Sequence, residues 1–196
     1  MALFIPGANA RINHAIQFAV IAHGNQVRKG NEDVPYVFHC IDVANEVMYY
    51  SGLKGEELEI ATMLSLLHDT EEDTAVTIKN IREQFGEIIA KGVGALSKDG
   101  SIVNANPDSK LAQLKESIAR VKLEPVYVQV VKLGDRISNL KNFPAMWSRE
   151  KIQNYLDESA YIARELGSAS EGLHARLLSR IVEARVMLSL FSGVVH

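Results

Sequence analysis

The sequence predicts an all-α protein, and three observations lead there. Apolar residues recur at helical spacing through most of its segments. Glycine, proline and polar clusters cut the chain into stretches of helix length. Only one stretch, Val126 to Val131, is rich in β-branched residues, and no second strand signal lies near it. A lone strand would leave its backbone groups unpaired, so this stretch too is read as helix. A length of 196 residues suits one domain, taken here to span 1–196.

The elements follow in order. Asn9 caps a first helix from Ala10 to about His23, with Ile12, Ala15, Ile16, Ala19 and Val20 on one face. Gly24 to Pro35 reads as a polar loop. Tyr36 to Tyr50 is a second helix, stopped by Ser51-Gly52. Glu56 to about Asp69 is a third, with Leu58, Ala61, Met63, Leu64 and Leu67 in helical register. Thr77 to Phe85 and Glu87 to Leu96 are short helices, and Ser97 to Pro107 is a polar loop. Asp108 to Val121, Pro125 to Asn142, Arg149 to Leu166 and Glu171 to about Phe191 complete the helices.

Composition narrows the function. Apolar residues make up 47% and charged residues 23%, ordinary values for a globular protein with a real core. A net charge of -3 argues against coating nucleic acid by bulk charge, while a local basic cluster can still bind a small anion. The single cysteine, Cys40, excludes an intrachain disulfide and a cysteine-based zinc site. No apolar run reaches the roughly 18 residues of a membrane span. The first ten residues lack the basic and apolar regions of a signal peptide, so a cytoplasmic location is expected.

Four places carry chemistry. His68-Asp69-Thr70-Glu71-Glu72-Asp73-Thr74 follows the apolar run Met63 to Leu67. Acids at a helix C-terminus oppose the macrodipole and call for another reason to be there. Glu72 is four residues after His68, and Asp73 four after Asp69, so on a helix each pair stacks one turn apart. One pair can bind a metal and the other can stand beside a reacting water. His39 lies among apolar neighbours, where a lone histidine is more often a core residue than a ligand. Lys132, Asp135 and Asn139 form a polar stripe on an apolar helix. An aspartate facing a core needs a cation, either Lys132 or Arg136 in an ion pair or a metal. Arg28-Lys29-Gly30 places two cations beside a glycine, a pattern that can dock a phosphate.

Read together, the sequence resembles the HD superfamily of metal-dependent phosphohydrolases, and within it the hydrolase domain of Rel/Spo-type guanosine tetraphosphate enzymes and their stand-alone small relatives. The segments that carry the resemblance are Ala22 to Lys29, Pro35 to His39, Leu67 to Thr74 and Lys132 to Leu140, in the family's order. The motif core spans about 10–142, with helices 149–191 completing the fold. The resemblance implies an HD-type helical bundle and one ion, usually manganese, held by His39, His68, Asp69 and Asp135. It implies that Glu72 and Asp73 position or deprotonate the attacking water. Arg28 and Lys29 would contact guanine and phosphates, Asn139 the nucleoside, and Lys98 and Tyr155 phosphate or ribose. The implied reaction releases the 3′-pyrophosphate of guanosine tetra- or pentaphosphate, without synthetase activity.

The chain departs from the family's pattern at Cys40, Ser138 and Lys141, where proline, histidine and arginine are usual. The rival expectations are an HD phosphohydrolase for another nucleotide or NADPH, and a non-catalytic nucleotide sensor. The C-terminal helices can complete the core or form a homodimer face.

Overall fold

Helix α3 (Gly55–Leu67) is the axis of the molecule, because its sequence leaves it no polar face from Ile60 onward. Every residue from Ile60 to Leu67 is buried. A helix apolar on all sides must be enclosed by others. The computed structural model describes residues 10–28, 31–97 and 107–190. Around α3 it packs α1 (Ala10–His23), α2 (Val37–Tyr50), α6 (Glu87–Leu96) and α8 (Val126–Asn139). Short α4 (Thr70–Asp73) and α5 (Ile78–Phe85) follow α3, and α7 (Pro107–Lys122) precedes α8. Helices α9 (Arg149–Leu166) and α10 (Glu171–Leu190) lie against α8 and close the bundle. One apolar core runs through these helices, from Ala15 on α1 to Ile181 on α10.

Local chemistry sets several helix ends. Thr77 caps α5 in a capping box with Asn80, and Gly86, at φ 85°, makes the turn into α6. Ser148 caps α9 by accepting from the Lys151 N–H. The valine-rich start of α8 is helical as expected: Val128, Val130 and Val131 are at most 1% exposed, and burial outweighs their weak helix propensity.

Two expectations change. The segment read as a loop between Gly24 and Pro35 contains a small antiparallel hairpin, β1 (Val27–Arg28) against β2 (Asn31–Pro35). Its strands show no alternation, and Val27 and Val34 are their only β-formers, so local chain closure rather than propensity makes the pairing. The long helix expected to Asp69 stops at Leu67, and His68 and Asp69 form a turn before α4. Among the described residues no helix is long and apolar enough to cross a membrane.

Helices α2 and α8 approach closely at Gly134. A Cβ there would lie 3.1 Å from Val47 Cγ2 and 3.4 Å from the Val43 carbonyl oxygen. Gly134→Val should therefore force the two helices apart. The expected cost is about 1–3 kcal/mol of unfolding free energy, read as a lower urea midpoint at unchanged m-value.

Candidate metal centre

The break after α3 gives His68 its role. Its Nδ1 lies 2.8 Å from the Ser65 carbonyl oxygen, one turn back. A carbonyl only accepts, so Nδ1 carries the hydrogen and, in the neutral ring, Nε2 keeps a lone pair. That Nε2 is fully buried and makes no hydrogen bond of acceptable geometry, although Asp69 Oδ2 is 2.9 Å away. A buried polar atom with no hydrogen-bond partner calls for an explanation, and a cation supplies one.

His39 arrives from the first turn of α2. Its Nδ1 is 3.0 Å from Ser138 Oγ, whose hydroxyl donates to Asp42 Oδ2 at 2.7 Å. The serine hydrogen is thus committed to the carboxylate, and Ser138 Oγ accepts from His39 Nδ1. His39 Nε2 also faces inward, 3.5 Å from Asp69 Oδ2 and 3.4 Å from Asp135 Oδ1.

Asp135 divides its oxygens. Oδ1 faces the histidines and accepts from Asn139 Nδ2 at 2.5 Å, while Oδ2 lies 3.4 Å from Lys132 Nζ. The ion-pair reading and the metal reading of this aspartate are therefore compatible. Arg136 turns away, to Glu158 and the Tyr155 ring. His39, His68 and Asp135 offer one ligand atom each, all within 4.8 Å of one another. Asp69 lies outside that trio but borders both imidazoles, and the Tyr36 hydroxyl donates to its Oδ2 at 2.6 Å.

The electrostatics agree with a site built for positive charge. Burial alone would lower the His68 pKa, but the carboxylates of Asp69 and Asp135 push it up to about 9. Burial would raise both aspartates. Instead the neighbouring histidines hold Asp69, and Lys132 with the histidines holds Asp135, well below the usual carboxylate range. Tyr36 is raised by burial and by Asp69, so its hydroxyl stays a donor. Once the proton on His68 is displaced, two imidazole Nε2 atoms and carboxylate oxygens fit a divalent ion of the first transition row.

Of the remaining expected residues, Arg28, Asp73 and Tyr155 are linked to this centre. Arg28, on β1, donates from Nη1 to Asn139 Oδ1 at 3.2 Å, so the hairpin brings its cation to the end of α8. Tyr155 lies beneath the Arg136 guanidinium, 4.0 Å from its ring centroid, and its hydroxyl is pushed up to about 12, mainly by burial. Glu72 and Asp73 are solvent-exposed on α4. The Asp73 N–H bonds to the Asp69 carbonyl at 2.9 Å, which keeps the expected one-turn relation for that pair across the turn. The Asp73 charge also acts on the Tyr36 hydroxyl. Lys29 and Lys98 lie outside the described residues.

Comparison with known proteins matches residues 15–162 to the HD domain. The chain belongs to the HD-domain family. Among HD-domain relatives, the guanosine-3′,5′-bis(diphosphate) 3′-pyrophosphohydrolase MESH1 of Mus musculus is 27% identical over 172 residues, covering 86% of this chain and 91% of its own. The enzyme of that activity from Aquifex aeolicus is 34% identical over 162 residues, 80% of this chain but 21% of its own length. A solved structure described as a metazoan ortholog of SpoT that hydrolyses ppGpp superposes with a TM-score of 0.77 at 23% identity, covering 90% of this chain and 96% of that one. The likeness confirms the helical fold.

Sequence reasoning passed over three residues at the centre. Tyr36 was only a neighbour of His39, and Ser138 only a departure from a pattern. Asp42 was not singled out, yet its spacing contains a signal. His39, Asp42 and Glu46 fall at i, i+3 and i+7 on an apolar helix, the same polar stripe that drew attention to Asp135 on α8. Tyr36→Phe removes the donor to Asp69 and should cost roughly 1–2 kcal/mol, since hydrogen bonds to charged groups are the stronger ones. Denaturation of the metal-free protein checks this, and an unchanged midpoint would show that Asp69 does not depend on the hydroxyl.

Proposed function

We propose that this HD-domain protein is a divalent-metal-dependent pyrophosphohydrolase that converts guanosine tetra- and pentaphosphate to GDP and GTP by releasing the 3′-pyrophosphate. The observation that carries the reading is the convergence of ligand atoms of His39, His68 and Asp135 directly beside the Arg28–Asn139 pair. The names of the relatives point to the same substrate.

In this reading His39, His68, Asp69 and Asp135 hold the ion, with manganese as the physiological choice. When bound, it supplies Lewis-acid polarisation of a phosphoryl oxygen and activation of water near neutral pH. Asp73, with Glu72 beside it, takes the proton from the attacking water. Arg28 and Lys29 meet the charge that spreads over the phosphoryl oxygens. The planar guanidinium of Arg28 can also stack on the guanine. Asn139 orients the nucleoside, while Lys98 and Tyr155 contact phosphate or ribose. Lys132 stays on the far oxygen of Asp135 and keeps that carboxylate ionised.

The test is a substrate panel with and without Mn2+: guanosine tetraphosphate, dGTP, nucleoside monophosphates and NADPH. Pyrophosphate release from the first, dependent on metal, is expected. Turnover of another compound in its absence would overturn the substrate assignment, and binding without any turnover would favour a sensor. Asp73→Asn should lower kcat by about 10²–10⁴-fold, the range for loss of a positioned base. His68→Ala should abolish both metal binding and turnover.

A further inference from the structure

The two histidines are held in unlike ways. His68 leans on a backbone carbonyl, which no side-chain substitution removes. His39 leans on Ser138 Oγ, which is oriented by Asp42, whose other oxygen receives Lys141 Nζ at 2.5 Å. Lys141 also reaches Glu46 Oε1 at 2.8 Å, and Arg176 of α10 forks the same carboxylate. Ser138 and Glu46 are each only 3% exposed, while the Asp42, Lys141 and Arg176 side chains that join them are partly open to water. Its direction is set by elementary chemistry. Ammonium and guanidinium only donate, carboxylates only accept, and the serine hydroxyl can do one of each.

We infer that Ser138 and Asp42 are positioning residues for His39. They fix its Nδ1 as the donor and aim its Nε2 at the centre. The inference rests on the metal-binding reading given above. A ligating histidine depends on the partner of its other nitrogen for orientation and basicity, and loss of such a partner typically weakens metal binding by about 10–100-fold. Here that partner is a hydroxyl on α8 reached from α2. The ligand's aim therefore depends on two helices keeping their register, which Gly134 sets one turn earlier.

Titration calorimetry of Mn2+ into the metal-free full chain tests this, with Ser138→Ala, Ser138→Thr and Asp42→Asn beside wild type. Ser138→Ala and Asp42→Asn should each bind about 10–100-fold more weakly. Ser138→Thr keeps the hydroxyl and should recover most of the affinity, a rescue that a purely packing role for Ser138 does not produce, because threonine adds a methyl to a buried site. The visible spectrum of the Co2+-loaded forms gives an independent readout. It should change in Ser138→Ala and return in Ser138→Thr. Wild-type affinity in both Ser138→Ala and Asp42→Asn overturns the inference and leaves the metal site standing. Failure of wild type to bind Mn2+ or Co2+ overturns the metal site itself, and the inference with it.

Discussion

Everything at the centre depends on one constraint: two buried imidazoles must each spend one nitrogen on a donor bond so that the other can face the same point. A neutral histidine has one N–H and one lone pair, and nothing in the ring decides which nitrogen carries which. The Ser65 carbonyl decides it for His68, and the Ser138 hydroxyl decides it for His39. Break either arrangement and a buried N–H turns toward a place that suits a lone pair. The fold can be read outward from these two bonds. Helix α3 ends at Leu67 so that His68 looks back at Ser65, and α8 lies against α2 so that Ser138 sits beside His39.

The same constraint accounts for the polar stripes. Helices α2 and α8 are mostly apolar, and each carries polar residues at i, i+3 and i+7: His39, Asp42 and Glu46 on one, Lys132, Asp135 and Asn139 on the other. On either helix the stripe is costly unless its groups find partners. Packed at Gly134, the two helices satisfy much of each other's need. Ser138 in the last turn of α8 and Lys141 just beyond it supply donors to Asp42 and Glu46. Asp135 in turn reaches the two histidines. Burial would push Glu46 up, yet Arg176 and Lys141 hold it below the usual carboxylate range, so it stays an acceptor in its buried setting.

How much of this was legible in the sequence follows from the range of the forces involved. Periodicity reports burial along one element, so α6 and α9 were readable to the residue, while α3 ends two residues before the expected Asp69. Even the β-branched start of α8 was readable, because its apolar positions continue into α8 proper. The β1–β2 hairpin was not, since two short polar segments pair through chain closure and leave no pattern. His39 and Asp135 were ambiguous one at a time, as a core histidine and an ion-paired aspartate, because the choice depends on contacts between helices far apart in sequence. Family resemblance joined them. It also presented Ser138 and Lys141 as losses, since it compares residue types and does not see partners. In three dimensions both residues are fully employed, Ser138 between His39 and Asp42 and Lys141 on Asp42 and Glu46.

Charge balance then links the centre to its proposed work. Asp69 and Asp135 are largely buried carboxylates within 4 Å of the same two imidazoles. Lys132 balances part of that charge from one side, and His68 responds by holding a proton up to about pH 9. A proton on His68 Nε2 and a divalent ion at the centre are two answers to the same demand, and they compete for one lone pair. In the proposed reading a divalent ion would be the better answer to two carboxylates, because its two charges match theirs. It would also let the Arg28–Asn139 pair serve the anionic substrate proposed above rather than neutralise the protein's own acids. In the function proposed above, a nucleotide carrying pyrophosphate groups would bring further negative charge and would meet positive charge on two sides: a divalent ion held by α2, the turn after α3 and α8, and the Arg28 cation carried by the hairpin.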